Sequence, residues 1–346
     1  MASLDQFATA NWRRTLQINN RKTFIVISLF VGFYIALGLL VDVWLSLQKY
    51  PNAPFSDILQ HLVTFQITPI ATLVMLAVAG ISLLVTYSFH DQLMLLGTEY
   101  REITPQTAQN VSEQQLYNVV EEMKIAAGLR YMPRVYLIEA DYMNAFASGY
   151  SEKSAMIAIT RRLMEKLDRS ELQAVMAHEL SHIRHMDIKL TLTASILANL
   201  MVMILDMLFY NAIFSNRRRD EDNRADALLM VIMILRYVLP VINILLLLYL
   251  SRTREYMADA GCVELTRDNV PLANALLKIQ NDHVENQATQ SALYQQTAHE
   301  NVRREAYIFD PIQAGIERTG SLSDLFSTHP PIKDRLAALG FKQSDT

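Results

Sequence analysis

The chain has 346 residues, of which 51% are apolar and only 19% charged, with 31 basic and 35 acidic side chains giving a net charge of −4. Ordinary soluble domains carry about 25% charged residues, so this balance excludes disorder, a coiled coil and a collagen-like fibre, and the lack of a basic field argues against a nucleic-acid partner. A single cysteine, Cys262, excludes an internal disulfide framework.

Residues 1–22 form a short polar segment with Arg13, Arg14, Arg21 and Lys22 at its end. No charge follows between Lys22 and Asp42, and the run Phe24 to Val41 is long enough to cross a bilayer. A second apolar stretch, centred on Ile67 to Tyr87, completes a pair of spans within 23–90. The run is too long for a signal peptide, and no small-x-small cleavage site follows it before Asp42. The loop between these spans carries only Lys49, so the basic flank holds the N-terminus, and everything after the second span, in the cytoplasm.

The polar stretch 91–187 reads as the first half of a soluble domain. Ser112 with Gln115 reads as a capping box opening a helix whose apolar face is Leu116, Val119, Val120 and Met123, and Gly128 can end it. Val135 to Ile138 and Ala155 to Thr160 read as strands, with a further short strand at Asn144-Ala145-Phe146-Ala147 between them. Asp168 with Glu171 caps the next helix. That helix carries His178-Glu179-Leu180-Ser181-His182, the pattern H-E-x-x-H. Residues i and i+4 share one helical face, so the imidazoles of His178 and His182 can grip one zinc ion. Glu179 sits where its carboxylate reaches the metal's water as general base without ligating the metal. His185, seven residues after His178, lies near the same face but is not needed as a ligand.

Residues 188–250 read as a transmembrane hairpin, with apolar windows from Leu190 to Asn216 and from Ala227 to Ser251. Only Asp206 interrupts the first window and only Arg236 the second. The two are equidistant from the middle of the hairpin loop, so an ion pair between facing helices is expected. The loop is rich in arginine (Arg217, Arg218, Arg219, Arg224), against the usual bias for an outer loop. Residues 251–346 return to the cytoplasmic side as the second half of the soluble domain. There Glu255 is the candidate third zinc ligand, and Asp259, four residues on, can orient a ligating histidine from behind it. Cys262 reads as a small buried residue, since a catalytic zinc keeps its fourth position open.

Four features together resemble the HtpX family of bacterial membrane zinc proteases, relatives of the CAAX prenyl endopeptidases. These are His178 to His182, the segment Arg254-Glu255-Tyr256-Met257-Ala258-Asp259, the strand Asn144 to Ala147, and Thr328-His329-Pro330-Pro331. The resemblance implies a mainly α fold of four transmembrane helices with a cytoplasmic zincin-type catalytic domain and a small β-sheet. It implies one zinc per chain held by His178, His182 and Glu255, with Glu179 as base, in a multi-pass protein of the bacterial inner membrane. His329, carried by the same family-like motif, is the candidate oxyanion donor, with Arg335 as a substitute. Asn144 to Ala147 either pairs with an extended substrate through a free edge or is a core strand without one. The implied function is endoproteolysis in protein quality control, acting on protein or peptide substrates at the lipid bilayer, with other quality-control proteases as candidate partners. A maturation peptidase for one prenylated or secreted peptide, and a non-catalytic zinc-stabilised scaffold or holdase, are the alternative readings.

Overall fold

The computed structural model describes residues 12–50, 53–215, 223–287, 303, 306–310 and 329–341. The arginine-rich hairpin loop and Thr328 lie mostly or wholly outside them. Two compact units emerge. One comprises Met1–Asn20, Phe89–Thr191 and Leu247–Thr346, and the other Arg21–Ser88 and Leu192–Leu246.

The second unit is helical. Its long elements are α1 (Trp12–Lys49) and α3 (Ile70–Ser88), with α2 (Phe55–Val63) between them, and parts of α8 (Asp187–Ser215) and α9 (Asn223–Thr266). Phe24–Leu47 and Ile70–Ser88 are long and apolar enough to cross a membrane. Both carry large apolar side chains turned outward, such as Phe24, Leu29, Ile81 and Leu84, as lipid requires. The other two windows differ from the expectation. Among the described residues they yield only the shorter apolar runs Ile196–Tyr210 and Met233–Ile242. Where backbone ends would be costly in lipid, side chains close them. Asp42 accepts from the N–H groups of Ala71 (2.8 Å) and Thr72 (2.9 Å) and so caps α3. A Cβ on Gly38 would collide with the Thr72 backbone, so only glycine permits this approach of α1. The expected Asp206–Arg236 ion pair forms, and the Arg236 guanidinium also lies 4.2 Å from the Phe209 ring centre.

The first unit is built on a four-stranded mixed sheet of order β1-β2-β4-β3. Its strands are β1 (Tyr100–Glu102), β2 (Arg134–Ile138), β3 (Ala145–Ser148) and β4 (Met156–Thr160). β2 and β4 run parallel, while β1 and β3 join antiparallel at the edges. β4 is apolar at four of its five positions and buried throughout, as a strand covered on both faces must be. Helix α7 (Arg169–His185) packs against α5 (Val111–Ala127), α10 (Val270–Glu285) and β3. Short helices α4 (His90–Leu95), α6 (Arg161–Lys166) and α11 (Ile332–Ala338) complete the unit. One apolar core runs through it, from Leu116 and Val119 of α5 to Ala174 and Val175 of α7 and Leu336 of α11. Capping follows the sequence at α7, where Asp168 and Glu171 form the reciprocal box, and at Gly128, which ends α5 with φ 70°. At the start of α5 it does not. The cap is Asn110, whose side chain accepts from the Glu113 N–H, because the helix begins at Val111 and Ser112 is already inside its first turn.

Candidate metal centre

α7 is buried along its whole second half, from Ala174 to His185. An amphipathic surface helix would expose its polar face; here the polar face is turned into the protein. On it, the Nε2 atoms of His178 and His182 stand 3.2 Å apart, with the rings edge to face. Glu255 reaches in from α9, its Oε2 3.6 Å from His178 Nε2 and its Oε1 3.5 Å from His182 Nε2. The three ligand atoms lie within 4.8 Å of one another.

This arrangement fits a small divalent cation. Ligand atoms about 2.0–2.1 Å from a tetrahedral zinc lie roughly 3.3 Å from each other, close to the separations found here. Two imidazole nitrogens facing each other at this distance gain nothing as neutral acceptors, whereas a cation between them and a carboxylate satisfies all three. Burial pushes the His178 imidazole down, but contact with Asp259 and Glu255 outweighs it and holds its pKa up at about 9. Burial raises Glu255, yet His329, His178, His182 and Arg335 around it hold it well below the usual carboxylate range. The pocket is built for a carboxylate that stays ionised beside positive charge.

Two carboxylates orient the two histidines. Asp259 Oδ1 lies 3.0 Å from His178 Nδ1, as the sequence suggested. Asp187 Oδ2 lies 3.1 Å from His182 Nδ1, which the sequence reading missed. The local signal is Met186, which closes α7 in the left-handed region with φ 53°. That one-residue break lets Asp187, the first residue of α8, turn back to the histidine five positions before it. Each imidazole thus presents Nε2 to the centre because its Nδ1 faces a carboxylate. Behind Asp259 stands Arg335 of α11, which donates to both its oxygens at 2.9 and 2.6 Å.

The approach of α9 to α7 has its own device. A Cβ on Gly261 would meet Ser181 Oγ at 2.5 Å, so glycine is required there. Next to it Cys262 Sγ donates to the Ala174 carbonyl at 3.2 Å, in a buried structural role. His185 packs under the same glycine, its Cε1 3.7 Å from where a Cβ would be, and does not join the ligand group.

Glu179 is fully buried beside the pair. Burial raises its carboxyl above the usual range, with His178 and His182 pulling it back, and neither of its oxygens has a hydrogen-bond partner of good geometry. His329 is buried with Nε2 3.6 Å from Glu255 Oε1, and burial lowers its pKa. Arg335 Nη1 is 3.6 Å from Glu255 Oε2. Ala145, Phe146 and Ala147 lie in the edge strand β3 with Asn144 just before it, and all four are buried.

Residues 110–341 match the family model described as Peptidase family M48. The chain is 39% identical over 329 residues to a Protease HtpX homolog of Helicobacter pylori, an alignment covering 95% of this chain and 98% of that one. It is 33% identical over 325 residues to a Protease HtpX homolog of Dictyoglomus thermophilum, covering 94% and 92%. Among solved structures, a crystal structure of S. mikatae Ste24p aligns at 17% identity and a TM-score of 0.47, covering 94% of this chain and 67% of that one.

Proposed function

The chain belongs to peptidase family M48, among the HtpX homologues, and on that premise we propose that this membrane protease is a zinc-dependent endopeptidase whose site opens on the cytoplasmic side. The single observation that carries the zinc assignment is the trio His178, His182 and Glu255: the two Nε2 atoms stand 3.2 Å apart, and each has one of the Glu255 oxygens 3.5 or 3.6 Å away, which suits an N/O site. Zinc bound there supplies a Lewis acid that polarises the scissile carbonyl and acidifies a water.

The chain's own residues do the rest. Asp259 and Asp187 keep the two imidazoles in the ligating tautomer. Glu179, its carboxyl raised by burial, takes the proton of the attacking water and returns it to the leaving amine. His329, with Nε2 3.6 Å from Glu255 Oε1, donates to the oxyanion that develops on the substrate carbonyl. β3 offers main-chain groups to an extended substrate, which suits clients of varied sequence. We place α1, α3 and the windows of α8 and α9 across the inner membrane as four spans. The soluble unit then falls into two sequence segments, 91–187 and 251–346, on one side. Misfolded and membrane proteins are its substrates in this reading.

The test pairs wild type with Glu179→Gln, both purified in detergent. Metal content and cleavage of an unfolded protein are measured on each, with chelator and with added zinc. About one zinc in both, with cleavage only in wild type, is the expected result. Equal cleavage by the two proteins would overturn the mechanism.

A further inference from the structure

The edge of β3 is taken on both sides. One side pairs with β4. On the other, Phe146 forms an antiparallel bridge with Tyr307, and the Ile308 N–H donates to the Ala145 carbonyl at 2.9 Å. The same register sets Ala306 opposite Ala147 and Phe309 opposite Asn144. There the Asn144 side chain clasps the Phe309 backbone, donating to its carbonyl at 3.0 Å and accepting from its N–H at 3.4 Å. The Ile308 carbonyl accepts from Arg335 Nη1 at 2.7 Å, and that nitrogen is the one 3.6 Å from Glu255 Oε2. Tyr307, Ile308 and Phe309 are each 1% exposed.

We infer that the β3 edge is a peptide-binding site filled by the protein's own Ala306–Phe309, and that a foreign peptide is hydrolysed only after displacing this segment. The inference rests on the reading of the chain as an endopeptidase that pairs substrate along β3. Three points favour an exchangeable occupant over a permanent fifth strand. Among the described residues the pairing is an isolated bridge, not a ladder. The segment's backbone is held by groups that would hold any peptide backbone, while its side chains add a Tyr307–Tyr142 hydroxyl contact at 3.0 Å and ring packing on Phe146 and His283. One of those groups, Arg335, also reaches the ligand Glu255. The occupant also defines what can replace it: an extended run of aromatic and branched apolar residues, as in Tyr307-Ile308-Phe309. Unfolded chains expose such runs and folded ones hide them. An internal segment competes at an effective concentration on the order of millimolar, so polar or weakly pairing peptides stay out.

The test uses full-length protein with Phe146→Cys and Tyr307→Cys. The Ile308–Ala145 bond makes 146 and 307 a non-hydrogen-bonded antiparallel pair, with Cα atoms about 4.5 Å apart, inside the span of a disulfide. The pair is placed in the Glu179→Gln background, and binding of a labelled peptide, Glu-Ala-Tyr-Ile-Phe-Asp, is measured with the pair oxidised and reduced. Binding only in the reduced form is expected. Equal binding in both forms, binding in neither, or a pair that will not oxidise overturns the inference. Separately, Ile308→Pro in the otherwise unaltered protein removes the N–H given to Ala145. It should lower KM for a test peptide about tenfold at unchanged kcat, and a folded variant with unchanged or higher KM counts against the proposal. Should the protein prove to be no peptidase, hydrolysis is missing throughout while lock-dependent peptide binding remains, so the two failures are told apart.

Discussion

Two aspartate–arginine pairs in this chain make opposite uses of the same chemistry. Asp259–Arg335 is bidentate and almost wholly buried, its side chains 2% and 1% exposed. Asp206–Arg236 joins two apolar helices, and its side chains are 42% and 22% exposed. In the first, the aspartate also faces His178, so the ion pair transmits position to a ligand. In the second, the partners face each other, and the arginine lies over the aromatic rings of Phe209, Tyr210 and Tyr237. A buried pair with a third contact is a positioning device; a pair on an apolar surface neutralises charge where lipid would penalise it.

The comparison can be broken at several depths. The largest effect falls outside both pairs, at Glu179, the proposed general base. Glu179→Gln should retain metal and lose about 10²–10⁴-fold in kcat, read by hydrolysis of an unfolded protein beside metal analysis. Next is Arg335→Met, which leaves Asp259 buried without its cation. A loss of about 3–5 kcal/mol in stability is expected by denaturant unfolding, together with weaker zinc binding in chelator competition. Asp206→Leu isolates Arg236 on its apolar helix at a cost of about 2–3 kcal/mol. The double change Asp206→Leu/Arg236→Leu should recover most of it, with metal affinity untouched throughout, measured by thermal stability in detergent. Asp187→Asn sharpens the contrast further. It should keep the fold and weaken zinc about 10- to 100-fold.

The smallest effect is a pH dependence in the soluble unit. Glu113 is held below the ordinary carboxylate range by its hydrogen bonds to Arg101, with Arg161 assisting, against the burial that would raise it. A depressed carboxylate contributes stability above its unfolded pKa of about 4.3 and loses it as pH falls through the folded value. Thermal stability should therefore fall as pH drops from about 5 toward 3, and Glu113→Gln should flatten that slope. An unchanged slope would assign the acid sensitivity elsewhere.

How much of this was legible beforehand depends on the range of each interaction. His178 and His182 were readable because a helical period fixes their common face. Asp206 and Arg236 were readable because a hairpin equates depth with distance from its turn. The strands 135–138 and 155–160 follow from short apolar runs, and they form within a residue of where the pattern puts them. Glu255 was readable only as a candidate, since nothing local ties it to α7. Asp187 escaped because its role depends on one backbone torsion at Met186. Gly261 escaped because its importance lies in a contact with Ser181, 80 positions away. The edge strand was half legible. Asn144 to Ala147 shows strand character, but that Tyr307 lies along it is a tertiary fact with no sequence period behind it.

The ligands of the centre come from two stretches of chain separated by the whole of residues 188–250. A nascent chain that has emerged only as far as His182 holds half a coordination sphere, and a helix with two histidines is a poor trap for zinc. On the proposed zinc assignment, the metal is tightly held only once Glu255 has been made and docked, and it then closes a long loop, as a staple would. On that assignment, activity waits until the second of the two stretches has been made. A protease whose substrates are unfolded chains, as proposed for this one, is at greatest risk of attacking its neighbours while they are still being made, and such a protease would be born without its blade.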